Sequence, residues 1–263
     1  MNSPSAAPGL TARWLQRTVS ARGMSLGIIA LAAGGWLWSS HGADELPDFT
    51  QHDNTVDKKE AFFAYLLPHI RSVNTQILAE RKRLRSIRDQ LIDDDSAGFF
   101  DDRWLIRLAG DYGLEPPEVL SEAFANQLLR RVDIIPPSLV LAQAANESAW
   151  GTSRFARHGN NLFGMRTYDG DGIVPRRRAA GKKFQVAVYD TVRESIGAYA
   201  DNLNTHYRYR SMRQIRASLR RQGQPVTGLA LSNGLLAYST RGSEYVDIIQ
   251  SIIRSNNLEQ YDE

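Results

Sequence analysis

The stretch Leu139 to Tyr168, LVLAQAANESAWGTSRFARHGNNLFGMRTY, sets one carboxylate, Glu147, among small, apolar and amide side chains. A carboxyl group with Trp150 as a wall beside it loses hydration, which disfavours its charged form and suits it to act as a general acid. A lone glutamate on the last turn of a helix is ordinarily a surface group, so the weight of this reading rests on its neighbours. Other chemistries are poorly supplied. The chain has no cysteine, which excludes disulfides, thiolate nucleophiles and thiolate metal sites. His41, His52, His69, His158 and His206 lack ligand spacing, Asp93 to Asp95 lack the glycine and terminal glutamate of a calcium loop, and no phosphate-cradling glycine loop is present. No metal, nucleotide or organic cofactor is implied.

The elements that must position Glu147 follow from local signals. Leu139 to Ala145 is a run of good helix formers, opened by Pro136-Pro137 and closed at Gly151. Upstream, Phe63, Leu67, Ile70, Val73, Ile77, Leu84, Ile87 and Leu91 recur at helical spacing. They predict a long amphipathic helix in residues 57–98, capped by Asp57 with Glu60, kinked at Pro68 and packed on a domain of residues 99–263. Within that domain a helix is expected from about Asp101 to Leu114, and another from Pro116-Pro117 to Leu129. Asn161 to Tyr189 reads as a β-hairpin, with turn chemistry at Asp169-Gly170-Asp171-Gly172 and an alternating strand from Lys183 to Tyr189. Asp190-Thr191 with Glu194 is a capping arrangement, which makes Glu194 structural. The last helix follows Tyr245, a residue assigned to packing.

Asn146-Glu147-Ser148-Ala149-Trp150-Gly151-Thr152-Ser153, followed by Asn160-Asn161-Leu162-Phe163-Gly164-Met165, resembles the glucosaminidase family of peptidoglycan hydrolases, glycoside hydrolase family 73. The resemblance extends from about Leu46 to the C-terminus, through Leu46-Pro47-Asp48-Phe49, Arg131 to Pro136, Asn202 to His206 and Ala237 to Gly242, toward the Bax-type bacterial branch. It implies a mainly α (α+β) fold, a lysozyme-like helical lobe and a small β-hairpin lobe flanking a groove. The implied activity is that of an endo-β-N-acetylglucosaminidase acting on glycan strands of peptidoglycan, with Glu147 as general acid. Ala149 stands where the family usually has glycine.

Carried onto this chain, the family's C-terminal tyrosine motif makes Tyr238 the tyrosine that faces Glu147, placed to orient an acetamido group or stabilise charge. Sugars need flat apolar faces and amides, and Asn161, Phe163, Trp150 and Tyr168 supply both near Glu147. Glycoside hydrolysis usually employs two carboxylates. No glutamate lies between Glu147 and Glu194, so either Asp171 on the turn serves as the second, or the substrate's 2-acetamido carbonyl takes its place. A muramidase or lytic transglycosylase, and a non-catalytic peptidoglycan-binding scaffold, remain alternatives.

The remaining segments bear on location and partners. Arg13, Arg17 and Arg22 lie in a basic segment, residues 1–23, ahead of an apolar segment at 24–39 that reads as a signal-anchor or signal peptide. Residues 40–56 read as an acidic linker. This arrangement predicts a protein of the bacterial cell envelope, periplasmic or extracytoplasmic, held at the inner membrane. The formal net charge is only +3, yet Arg176 to Arg221 is dense in arginine. Arg213, Arg216 and Arg220 share a helix face that reads as solvated, and nucleic acid is not the expected partner.

Overall fold

The computed structural model describes residues 46–93, 96–168, 172–176, 178 and 181–262. Segments 1–23 and 24–39 fall outside the described residues, as do Asp169 to Asp171. Among the described residues, no helix is long and apolar enough to cross a membrane.

The end of the segment expected as a linker is held by the core: Phe49 opens a 3-10 turn, Phe49–Gln51, and is buried edge-on to Phe62. The first α-helix, α1, spans Thr55–Asp93. Its cap lies ahead of the expected one: Asn54 Oδ1 accepts from the Asp57 backbone N–H at 2.8 Å, so the helix begins before Asp57. It continues through Pro68, which sits on the exposed side. Phe62, Leu66, Ile70, Val73, Ile77, Leu84 and Ile87 are buried in the main core, and each such side chain contributes about 1.5–3 kcal/mol. Helix α2 spans Phe99–Asp111. Helix α3 spans only Glu122–Leu129, because Ser121 caps it by accepting from the Phe124 N–H, leaving Pro116-Pro117 in the preceding loop.

Helix α4, Pro137–Ser148, starts with Pro at its first position, as the sequence predicts, and is buried from Pro137 through Ala145. Asp262 near the C-terminus caps it, accepting from the Ser138 N–H at 2.9 Å and from the Ser138 hydroxyl, and also from the Gly228 N–H at 2.8 Å. The loop from Arg130 to Pro136 delivers the chain into α4, and arginines hold its carbonyls. Arg81 on α1 donates to the Leu129 and Val132 carbonyls at 2.6 and 2.7 Å. Arg216 donates to the Asp133 and Ile134 carbonyls at 3.2 and 2.9 Å, and to that of Arg130 at 3.1 Å. Asn74 of α1 pairs its amide with the Ile135 backbone in both directions. The carbonyl end of a helix needs donors, and a guanidinium offers five of them.

A short α5, Arg154–Gly159, leads into the β lobe. That lobe is a three-stranded antiparallel sheet in the order β1-β3-β2, with β1 Arg166–Thr167, β2 Gly172–Ile173 and β3 Gln185–Ala187. The strands on either side of the expected turn do not pair with each other. Both pair with β3, Arg166 and Ile173 lying opposite Val186.

Helix α6, Val192–Thr205, begins at the predicted cap, with Thr191 accepting from the Glu194 N–H and Glu194 Oε2 accepting from the Asp190 N–H at 3.0 Å. Helix α1 packs on α3, α4 and α6 together and is therefore part of the scaffold of the molecule. Then come α7 Arg210–Arg221, α8 Gly228–Ser232, α9 Ser243–Ser255 and a final 3-10 turn, Leu258–Tyr261. The face of α7 read as solvated is instead buried at two positions. Arg216 is 1% exposed and Arg213 7%. Arg213 donates to the Leu203 and His206 carbonyls at the end of α6, at 2.8 and 2.9 Å. Burial pushes both guanidinium groups down to about 10, so they stay charged at neutral pH. Sequence periodicity cannot tell this face from a wet one, because the partners are backbone carbonyls of distant segments.

Candidate active site

Glu147 is the penultimate residue of α4 and is half-buried. Its Oε1 accepts two hydrogen bonds, from Tyr245 Oη and from Asn146 Nδ2, both at 3.0 Å. Its Oε2 makes no hydrogen bond to any described residue. One turn back on the same helix face, buried Gln143 donates from Nε2 to Tyr245 Oη at 2.8 Å and accepts at Oε1 from Tyr199 Oη. The result is a directed chain: Tyr199 to Gln143 to Tyr245 to Glu147. Both donors lie on one carboxyl oxygen, which leaves the other open to a ligand. A carboxyl protonated on Oε2 keeps both hydrogen bonds.

The chain turns sharply just past Glu147. Ala149 closes α4 with φ 51° and ψ 51°, and Trp150 and Gly151 follow at φ 60° and 77°. Non-glycine residues in this left-handed region carry strain of about 1 kcal/mol or more each. Gly151 allows no side chain: a Cβ there would lie 2.6 Å from Phe49 Cδ2. Ser148 braces the turn, its hydroxyl donating to the Ala144 carbonyl and accepting from the Gly151 N–H at 2.7 Å. Trp150 is thereby thrown against α1, edge-on to Phe62 and Phe63 at 5.9 and 5.4 Å, with Lys59 over its ring.

Four tyrosines lie close enough to Glu147 to feel its charge. Tyr238 stacks on Tyr245 with centroids 5.2 Å apart and planes 10° from parallel, and Tyr209 lies 5.8 Å from Tyr238. Tyr199 stacks on Phe163 at 4.0 Å. Burial holds the hydroxyls of Tyr199, Tyr238 and Tyr245 above the ordinary phenol range, and the Glu147 charge adds to it. They are neutral donors at physiological pH.

The residues singled out from the sequence divide into groups. Tyr238 meets the Glu147 site through its stacking on Tyr245, the tyrosine assigned to packing and the one bonded to Glu147, whereas Trp150 packs on Phe62 and Phe63 of α1. Tyr238 Oη donates instead to the Phe163 carbonyl at 3.3 Å. Asn161 is 1% exposed and its amide is fully engaged: Nδ2 donates to the Met165 and Ala187 carbonyls, and Oδ1 accepts from the Met165 N–H. It ties the loop to β3 and has no donor left for a sugar. Phe163 is 3% exposed, its ring committed to Tyr199. Tyr168 is 64% exposed on the β lobe. Asp171 lies outside the described residues. Sequence reasoning misses Gln143 and Tyr199, although an amide one turn before Glu147 in an otherwise apolar helix is an available signal. Among the described residues, no group of three or more His, Asp or Glu side chains is arranged to hold a metal ion.

The sequence model of the Glucosaminidase family, described as mannosyl-glycoprotein endo-beta-N-acetylglucosaminidase, matches residues 122–258. The chain is 36% identical to Protein bax of Escherichia coli (strain K12) over 222 residues, covering 83% of this chain and 77% of that protein. It is 29% identical to Exo-glucosaminidase LytG of Bacillus subtilis (strain 168) over 148 residues, covering 52% of this chain and 50% of that one. No solved structure matches. The family match begins at α3, so α1 and α2 precede it while sharing its core.

Proposed function

The chain belongs to the glucosaminidase family, and from that premise we propose that it is an endo-β-N-acetylglucosaminidase that cleaves the glycan strand of peptidoglycan in the bacterial cell envelope. The observation that carries this reading is the Glu147 carboxyl, held at Oε1 by Tyr245 and Asn146 and open at Oε2. In the first step Glu147 gives the Oε2 proton to the leaving glycosidic oxygen as the C–O bond breaks. Proton release leaves a carboxylate whose charge the Tyr245 and Asn146 donors stabilise without rearrangement.

Glu194 is committed to the cap of α6, so the second group is not that residue. The substrate's 2-acetamido carbonyl oxygen attacks the anomeric carbon and forms a cyclic intermediate. Water then attacks that carbon as its bond to the acetamido oxygen breaks and the acetamide reforms, while the Glu147 carboxylate takes a proton from the water, restoring the acid. Tyr238, stacked on Tyr245, is the hydroxyl we assign to the acetamido group. Asp171, the residue that precedes β2 in the sequence, is the alternative second carboxylate. The apolar segment 24–39 would hold the domain at the inner membrane, within reach of the wall.

Digestion of purified peptidoglycan by residues 46–263, with Glu147→Gln as control and mass spectrometry of the new ends, tests the reading. Reducing N-acetylglucosamine ends that vanish in the variant are expected. Reducing or anhydro muramic ends would replace the reading with a muramidase or lytic transglycosylase. Wall binding without cleavage would make the protein a scaffold.

A further inference from the structure

Away from Glu147, α1, α3 and α7 enclose an open cleft of about 440 Å³. Trp150 meets α1 at Phe62 and Phe63, whereas the cleft begins at Arg81 and Arg85. At 1.5 Å per residue, these two places on α1 are separated by about 30 Å. The cleft is therefore a separate feature, and a ligand bound in it is independent of the glycosidase reading.

Seven arginines line it against a single carboxylate, Asp133. Three of them are committed: Arg220 grips Asp133 with two hydrogen bonds at 2.9 and 3.2 Å, Arg81 reaches it at 3.5 Å and Arg216 at 3.9 Å. Arg88 pairs with neighbouring Asp89. Arg85, Arg130 and Arg221 are exposed, and their guanidinium groups form no hydrogen bond or ion pair with any described residue. They come from three different elements and converge on one concavity. Arg81, Arg85 and Arg88 lie one above another on a single face of α1, which brings like charges close and costs stability unless an anion offsets it. The field is felt inside the cleft: burial foremost, and then the charges of Arg220, Arg85 and Arg88, lower the proton affinity of Arg81 against the opposing pull of Asp133.

We propose that this arginine cleft binds a phosphate group, with Arg85, Arg130 and Arg221 as its ligands and the Asp133 cluster as its rigid floor. Guanidinium forks match oxyanions in two-point contacts. Three forks approaching from three elements require acceptor oxygens in as many directions. A tetrahedral phosphate provides them, whereas the oxygens of a carboxylate lie in one plane. The volume is within the range of small-ligand sites, roughly 300–1,000 Å³. The phosphate comes from an anionic lipid headgroup or from a soluble phosphate-bearing molecule, and the two are separable by experiment.

Titration calorimetry of the full chain with inorganic pyrophosphate at low salt is expected to give saturable binding that weakens as salt is added. The variant Arg85→Gln/Arg130→Gln/Arg221→Gln should weaken it by about tenfold or more, a loss of about 1.4 kcal/mol, with an unchanged melting temperature. If the triple variant melts early, Arg85→Gln alone at the exposed rim replaces it. Acetate at matched ionic strength should not compete. Sedimentation with phosphatidylglycerol vesicles, against phosphatidylcholine vesicles, then identifies the source. Binding lost in the variant assigns the headgroup, and pyrophosphate binding without vesicle binding assigns the soluble molecule. No saturable binding to either probe, or equal binding by wild type and variant, overturns the proposal.

Discussion

Tyr245 Oη donates to Glu147 Oε1 at 3.0 Å while accepting from Gln143 Nε2 at 2.8 Å, so a residue of the last helix fixes the rotamer of the carboxyl on the central one. The hydroxyl satisfies the buried Gln143 and the half-buried Glu147 at once. Its proton points at Glu147 because Gln143, itself oriented by Tyr199, occupies the acceptor side.

Tyr245→Phe removes that hydroxyl and leaves the Gln143 donor buried without a partner. A stability loss of about 1–3 kcal/mol is expected. If Glu147 is the acid of the proposed reaction, kcat on peptidoglycan should fall by about tenfold or more with little change in KM, since the lost contact holds that carboxyl and not the substrate. An unchanged kcat would remove Tyr245 from the machinery.

Asp133→Asn takes the carboxylate from between Arg81, Arg216 and Arg220. Breaking a buried ion cluster from one side costs about 3–5 kcal/mol, and urea unfolding should show it. Burial by itself would raise the Asp133 pKa, but the surrounding guanidinium groups, Arg216 first, leave it lowered. The stabilisation is therefore fully present above the unfolded-state value of about 3.9 and is lost as pH falls through the lower folded value. The variant should lack that part of the acid dependence. Parallel stability–pH curves for the two proteins would refute the assignment.

Ala149→Gly should stabilise the protein. Ala149 is exposed and sits at φ 51°, a conformation glycine adopts without steric cost. Allowing for the freer unfolded chain, the gain is about 0.5–1 kcal/mol. Calorimetry should show a rise in Tm of about 2–4 °C per kcal/mol; a lower Tm would contradict the strained turn.

Asp262→Ala strips an acceptor from the Ser138 N–H and hydroxyl and from the Gly228 N–H. A loss of about 1–2 kcal/mol is expected, as for other helix caps. Hydrogen exchange should locate it at the first turn of α4 and at α8, and uniform protection across both elements would count against it.

The sequence by itself determined the elements whose causes are local. The start of α4 at Pro137, the cap of α6 at Thr191 and Glu194, and the buried face of α1 all follow from residues within a few positions of one another. Glu147 stands out as a candidate for the same reason, since the motif around it is contiguous. Tertiary structure decided what depends on distant partners. Tyr245 is 98 residues from the carboxyl it orients, and no periodicity separates it from a packing tyrosine. Asn161 reads as a sugar ligand because its amide is the right chemistry, and only the fold shows that amide engaged by Met165 and Ala187. Arg216 reads as wet because arginine usually is, whereas the carbonyls of the loop before α4 close around it. Hydrogen-bonding capacity is a property of a residue type, but which partner uses it is settled by which segments the core brings together.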